Sequence, residues 1–289
     1  MSSALISVII PTCNRPEGAL RAVESVVGQQ LGQQVNQQGN NAIEIIVVDD
    51  GRTLADQAGE LLQKYITSGQ IQYIVNDGEH GAAFARNLGV SKAQGQYITF
   101  LDDDDCYLPG RLQNMLTKMQ EGKHVFISST RFHEYFDFEI IKPWPGQLSG
   151  EITLNDIKWI NDIDIGILVR RQDFIDLGGY DTSFYNLEDW DFLLRLLQKG
   201  NGFKLSRQDY AENVNPNRPR QSDKGYIGYE QIAQKHRNTF DPHWYATMLA
   251  ISAQGKGELS FAKALASCQE HGVLSPLKMY LRNRFSLRK

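Results

Sequence analysis

Asp102, Asp103, Asp104 and Asp105 are four consecutive carboxylates set immediately after the apolar run Tyr97–Leu101. Adjacent acids repel one another, and a divalent cation that takes oxygen ligands and bridges to phosphate would relieve that repulsion. Open α/β sheets bind ligands at the carboxyl ends of their strands, which is where this run falls. The plainer alternative is an acidic surface turn with Asp105 capping the next helix. The run Ser7-Val-Ile-Ile-Pro-Thr-Cys-Asn-Arg15 ends a second apolar strand in small polar groups and one cation. Backbone amides there can hold a nucleoside while Arg15 faces phosphate. Alternatively, Pro11 stops the strand and Thr12 or Asn14 caps the following helix. A third run, Val47-Val-Asp-Asp-Gly51, carries a carboxylate able to accept the imide N–H of uracil or thymine. Turn chemistry explains Asp50-Gly51 equally well. The three runs deliver polar groups to one edge of one sheet, and that convergence favours a site.

A fourth cluster, Tyr185-Asn-Leu-Glu-Asp-Trp-Asp191, leads into Phe192–Leu197. Steps of three, four and seven from Asp189 give Phe192, Leu193 and Leu196, so Asp189 heads an apolar, inward-facing stripe. The helix dipole at its N-terminus favours an ionised carboxylate, which suits a general base. Glu188 and Asp191 read as first-turn acids that stabilise the helix end.

The elements that must position these groups begin with strands at Leu5–Ile10, Ile43–Val48, Ile71–Val75 and Gln96–Leu101. Helices at Glu17–Gln30, Leu54–Tyr65 and Ala82–Ala93 alternate with them, giving half of a doubly wound sheet. The polar stretch Gln29–Asn41 is expected as a surface insertion. A helix from Pro109 to about Gln120, a strand at Val125–Ser129 and irregular structure over Arg131–Gly150 follow, the last suited to a sheet edge or acceptor-side flap. Ile163–Val169 reads as a strand, Leu187–Lys199 as an amphipathic helix, Gln208–Gly225 as a mobile loop and Tyr226 onward as short helices.

With 289 residues, one main core and an appendage are expected. A net charge of −4 offers no global attraction to nucleic acid. Cys13, Cys106 and Cys268 lack the spacing of a zinc site or disulfide framework, which points to a reducing cytoplasm. No stretch approaches the roughly 20 apolar residues that span a bilayer.

Taken in order, Ile9-Ile-Pro-Thr-Cys-Asn-Arg15, Val47-Val-Asp-Asp-Gly51, Gly81-Ala-Ala-Phe-Ala-Arg-Asn-Leu-Gly89, Phe100-Leu-Asp-Asp-Asp-Asp105 and Gly178-Gly-Tyr-Asp181 with Glu188-Asp189 resemble the family-2 inverting glycosyltransferases of GT-A fold. The resemblance covers roughly residues 4 to 210. It implies an α/β fold with a mostly parallel central sheet flanked by helices and a C-terminal helical extension. The implied division is a GT-A nucleotide-sugar domain over 1–210, a flexible active-site loop over 211–225 and the extension over 226–289. By the same resemblance Pro11, Thr12, Arg15 and Asp50 line the nucleoside and phosphate pocket, with Asp50 reading the base and Asp77 and Arg86 completing it. Asp102 and Asp104 match the family's Asp-x-Asp motif, with Asp104 a direct ligand of Mn²⁺ or Mg²⁺ and Asp103 or Asp102 contacting ribose or a ligand water. Asp189 matches the catalytic base.

The reaction so implied moves a sugar from a nucleotide-diphosphate donor, UDP-linked, to a hydroxyl of a growing cell-surface or lipid-linked saccharide, inverting the anomeric carbon. Where many relatives carry a loop histidine, this chain has Asn217-Arg-Pro-Arg-Gln-Ser222, so Arg218 or Arg220 is a candidate diphosphate contact, or part of a solvated basic loop. Leu277, Tyr280, Leu281 and Phe285 alternate with Lys278, Arg282, Arg284, Arg288 and Lys289, a pattern suited to the anionic inner face of a cell membrane. The rival readings are a non-catalytic nucleotide-sugar or glycan-binding module and a sugar nucleotidyltransferase. The latter usually opens with a glycine-rich phosphate loop that is missing here.

Overall fold

Ile6–Thr12 (β1), Ile43–Asp49 (β2), Ile71–Val75 (β3) and Tyr97–Phe100 (β4) are the strands expected from the apolar runs. A computed structural model describes residues 5–32, 42–51, 55–144, 148–214 and 224–286. The four strands pair in parallel in the order β3-β2-β1-β4. Every residue of β1 and β4 is buried, as continuous apolar runs in a sheet covered on both faces require. Pro16–Val27 (α1), Ala55–Thr67 (α2) and Ala82–Lys92 (α3) are the crossovers. A Cβ on Gly89 would lie 2.5 Å from Ile9 Cγ2 and 3.2 Å from Val48 Cγ2, so a glycine here lets α3 press onto β1 and β2. Thr12 stands opposite Asp49, and the Leu101 N–H donates to the Ile9 carbonyl at 3.0 Å. This register ends three strands at one sheet edge.

The sheet continues through Cys106–Tyr107 (β5), Arg111–Met119 (α4), Phe126–Tyr135 (β6), Ile140–Pro143 (β7), Gly150–Ile152 (β8), Leu154–Ile157 (α5), Leu168–Arg170 (β9), Arg171–Asp176 (α6), Glu188–Leu196 (α7) and Gly202–Asn213 (β10). Beyond β4 its order is β9-β6-β10-β5, with β7 on β6 and β8 on β10. β10 runs parallel to β6, whereas β9 is antiparallel to both β4 and β6. The chain divides into two units, Met1–Tyr180 with Phe192–Pro216 and Asp181–Asp191 with Asn217–Lys289. The second unit holds Gly225–Lys235 (α8), Pro242–Gly255 (α9), Phe261–His271 (α10) and Ser275–Ser286 (α11). Asp241 caps α9 by accepting the Trp244 N–H at 2.9 Å, and Trp244 is buried against Phe240.

Four expectations need correction. Gln29 and Leu31 are buried, not part of a surface insertion. The Gln29 amide donates to the Leu108 carbonyl at 2.9 Å and accepts the Leu112 N–H, so it satisfies the backbone where α4 begins. Residues 33–41 of that stretch lie outside the described residues. Arg131–Tyr135 continue β6, because β10 and β7 supply partners on its two sides. Gln208–Asn213 are strand and not loop, since β6 and β5 pair with that length of β10 and bury Tyr210. Of Ile163–Val169 only Leu168 and Val169 are strand, as the start of β9. Asp164 accepts the Gly166 N–H at 2.9 Å and turns the chain beforehand.

That turn also aims Asp164 at Arg111, a fully buried cation that the sequence alone hid. Arg111 Nη2 lies 3.0 Å from Asp164 and Nη1 2.9 Å from Asp209, with Tyr107 and Tyr210 each 4.8 Å from the guanidinium. Removing the cation would leave two buried acids uncompensated. Arg111→Met should therefore cost about 3–5 kcal/mol in denaturant unfolding. A loss under about 1 kcal/mol would show that the network contributes little net stability.

Candidate active site

The turn after β4 begins at Leu101 and closes where the Asp105 N–H donates to the Asp102 carbonyl at 3.0 Å. Its carboxylates diverge in environment. Asp103 is fully buried, where it accepts the Thr12 hydroxyl at 2.8 Å and pairs with Arg15 Nη2 at 2.6 Å. Burial pushes its carboxyl up to about 7 against the attraction of Arg15. Asp104, partly exposed, pairs with Arg15 Nη1 at 2.8 Å. Asp102 pairs with Arg86 Nη2 at 2.6 Å, and Arg86 is buried on α3. Asp105 is buried and accepts the Tyr210 hydroxyl at 2.6 Å and the Asn213 N–H at 2.9 Å. Its carboxyl is held well above the usual range, first by burial and then by Asp104 and Asp102. Asp105 therefore ties the turn to β10 and does not cap a helix.

Asp102, Asp104 and Asp105 offer ligand oxygens that all lie within 4.8 Å of one another. An all-carboxylate donor set fits a hard divalent cation such as Mg²⁺ or Mn²⁺. The cations Arg15 and Arg86 stand beside the same acids, a pairing that also suits a diphosphate.

At the neighbouring strand ends, Pro11 and Thr12 are buried on β1. Asp50 accepts the Asn76 amide at 2.6 Å and the Gly81 N–H at 2.7 Å, with His80 Nδ1 2.9 Å away. Its carboxylate thus closes the loops after β2 and β3. Asp77 is exposed, and its neighbour Asn76 is the residue that turns inward. Neither Asn76 nor His80 carried a motif signal. The Asn87 side chain, inside the Gly81–Gly89 motif, could have been found from it. Asn87 accepts the Tyr180 N–H at 3.0 Å and donates to the Tyr180 carbonyl at 2.8 Å. Arg195 donates to the carbonyls of Leu177 and Gly179 at 2.7 and 2.8 Å, so this glycine-rich turn is clamped from two helices.

In the second unit, Asp189 is half-buried in the first turn of α7. The stripe below it is buried as the spacing predicts, at Phe192, Leu193 and Leu196. Asp191, read from the sequence as a helix-end acid, is fully buried with His236 Nε2 and Lys235 Nζ each 2.9 Å away. Lys235 also pairs with Asp181 at 2.6 Å. Against burial, which would raise it, Lys235 and Ser183 hold the Asp181 carboxyl down at about 2. Trp190 packs edge-on against Tyr229 at 5.5 Å. The turn bearing Asp189 is therefore anchored to α8 by its two following residues. Arg218 and Arg220 lie outside the described residues. A cavity of about 870 Å³, lined by Val27, Leu31, Ile43 and Gln113 among others, opens at the amino end of β2, away from the acids.

Residues 7–178 match the family model described as glycosyl transferase family 2, and residues 152–231 match a second, glycosyltransferase like family 2. The chain is 30% identical over 200 residues to an uncharacterized glycosyltransferase of Haemophilus influenzae, covering 68% of this chain and 63% of that protein. It is 29% identical over 251 residues to WcaA of Escherichia coli, described as a colanic acid biosynthesis glycosyl transferase, covering 83% and 84%. It is 29% identical over 196 residues to the Escherichia coli UDP-Glc:alpha-D-GlcNAc-diphosphoundecaprenol beta-1,3-glucosyltransferase WfaP, covering 68% and 71%. Among solved structures, S. aureus TarS 1-349 in complex with UDP-GlcNAc aligns with a TM-score of 0.65 at 18% identity, covering 89% of this chain and 74% of that one.

Proposed function

The chain belongs to glycosyl transferase family 2 and has the GT-A fold, and from that premise we propose that it transfers a sugar from a UDP-linked donor to a hydroxyl of a growing, lipid-linked surface saccharide. The observation that carries this reading is the convergence of Asp102, Asp104 and Asp105 beside Arg15 and Arg86. UDP is proposed because WfaP is named for UDP-Glc and TarS was solved with UDP-GlcNAc. The lipid-linked acceptor follows from the diphosphoundecaprenol in the name of WfaP.

In the proposed reaction Asp189 takes the proton of the acceptor hydroxyl while that oxygen bonds to the donor's anomeric carbon. The bond from that carbon to the diphosphate breaks, UDP departs with the electron pair, and configuration inverts. A divalent cation held by Asp102 and Asp104 would act as a Lewis acid toward the departing diphosphate. Arg15 and Arg86 balance the acids and have the diphosphate as their alternative partner. Thr12 and Asp103 fix the angle at which Arg15 is presented. Assignment of donor binding to residues 1–210 and of a helical extension to 226–289 belongs to the same proposal.

Binding is the direct test. UDP, TDP, GDP and CDP should be compared by thermal shift with Mn²⁺ or EDTA, and UDP with Mn²⁺ should give the largest rise. If no diphosphate shifts the melting temperature in either condition, the donor reading fails.

For the acceptor side we propose contact with an anionic bilayer through the second unit. On α11, Lys278, Leu281, Arg282 and Arg284 are exposed, and on α10 so are Phe261, Lys263 and Leu265. Phe261 meets Tyr280 at 5.9 Å, which joins the two helices into one apolar patch with a basic rim. No described helix is long and apolar enough to cross a membrane. Vesicles containing phosphatidylglycerol should sediment the protein, and Arg282→Glu with Arg284→Glu should weaken binding by at least about 1 kcal/mol per charge. Equal sedimentation with zwitterionic vesicles would remove the idea.

A further inference from the structure

We propose that Arg21, Glu134 and Asn213 form a hub that positions the Asp102–Asp105 turn for its cation, an inference that rests on the metal-dependent reading of that turn. Glu134 lies near the carboxyl end of β6, and its side chain is fully buried. A buried charge is tolerated only when paired, so the partners reveal what it holds. Its Oε1 accepts from Arg21 Nη2 at 2.8 Å and from the Asn213 amide, and its Oε2 accepts the Phe138 N–H at 3.2 Å.

Two of these partners reach on to the acidic turn. Arg21 Nη2 also donates to the Asp104 carbonyl, and the Asn213 N–H donates to Asp105 Oδ1 at 2.9 Å. One arm thus fixes the peptide that carries Asp104, and the other fixes the carboxylate of Asp105. The three residues come from α1, β6 and β10, so the turn is braced by elements other than the strand that leads into it.

The opposite side of the hub is also constrained. Phe136, Asp137 and Phe138 have φ of 54°, 57° and 67°, a left-handed run that side chains other than glycine rarely adopt. Such strain persists only where the surroundings over-determine it. Glu134 supplies one tie through the Phe138 N–H, and Arg21 Nη1 supplies another to Asp137 at 3.1 Å. Arg21 and Glu134 are therefore shared between a strained hairpin and the acidic turn. Neither side chain is a candidate ligand, which makes them positioning residues whose effect is expected on cation affinity.

The test is Mn²⁺ binding to the full chain in the presence of UDP, read from the paramagnetic resonance of free Mn²⁺. Wild type, Arg21→Lys, Glu134→Gln and Asp104→Asn would be compared below their melting temperatures. Arg21→Lys keeps the charge but not the fork that spans three acceptors, and Glu134→Gln keeps the shape. Residues that orient ligands from behind are worth about 10- to 100-fold in metal affinity. Both variants should bind Mn²⁺ at least about tenfold more weakly than wild type, with UDP affinity in EDTA unchanged. Wild-type Mn²⁺ affinity in folded Arg21→Lys and Glu134→Gln, with Asp104→Asn defective, would overturn the hub and leave the metal reading standing. Equal Mn²⁺ binding by wild type and Asp104→Asn would instead remove Asp104 as a ligand, and with it the metal reading of this turn on which the hub rests. If Glu134→Gln does not fold, Arg21→Lys decides alone, because Arg21 is partly exposed and its replacement leaves no empty core.

Discussion

Asp189→Asn should lower kcat by about 10²- to 10⁴-fold, the range expected when a positioned general base is removed. Asparagine keeps the shape of the side chain but cannot take the acceptor's proton. The loss should fall equally on kcat and kcat/KM, since the missing interaction belongs to the transition state. Donor binding should be unchanged. The melting temperature should hold as well, because the anchor of this turn is carried by Trp190 and by Asp191 with His236 and Lys235. Asp191→Asn is the informative contrast. It removes a fully buried charge from two partners, so its effect should appear as lost stability. A turnover number for Asp189→Asn near that of wild type would show that another group is the base.

Asp104→Asn should abolish the Mn²⁺-dependent part of the UDP thermal shift. A ligand at 100 times its Kd stabilises the native state by about 2.7 kcal/mol, equivalent to roughly 4–5 °C in a chain of this size. The amide removes one carboxylate charge from the set formed with Asp102 and Asp105. Because the ion pair of Asp104 with Arg15 is partly open to solvent, where such pairs contribute little, the unliganded fold should be little affected. Asp103→Asn should behave differently. Its carboxylate is fully buried between Thr12 and Arg15, so its replacement should destabilise the protein before it changes any ligand. An undiminished metal-dependent shift in Asp104→Asn would place the cation on other groups or remove it altogether.

The parallel strands and the residues at their ends were legible in the sequence because both follow from local pattern. Ile6–Thr12 and Ile43–Asp49 are β-branched runs long enough for buried strands, and their flanking turns mark where the chain leaves the sheet. Ile71–Val75 has the bounds that the sequence suggests. Once the strands are parallel, their carboxyl ends must share one edge, so Thr12, Asp50 and the acids after Phe100 are neighbours by topology. The stripe below Asp189 is likewise a matter of helical period.

What failed was wherever a partner distant in sequence decides. Gln208–Asn213 has no strand periodicity of its own and is strand because β6 offers a free edge along that length. Gln29 looks like the start of a polar surface run and is buried because Leu108 and Leu112 need its amide.

The sequence by itself determined the fold class, the shared edge and the identity of the acids that crowd it, since alternation, turn chemistry and parallel topology are local or general rules. Only the tertiary structure decided which acid is buried and tied to other elements and which stays partly open. Asp103, Asp104 and Asp105 are adjacent and chemically identical, and they differ only in what approaches them: Thr12 and Arg15 from β1 and the turn after it, Arg21 behind the Asp104 peptide, and Tyr210 and Asn213 from β10. Burial and hydrogen-bond partners set a carboxylate's role, and both are properties of the space around a residue that its position along the chain does not encode.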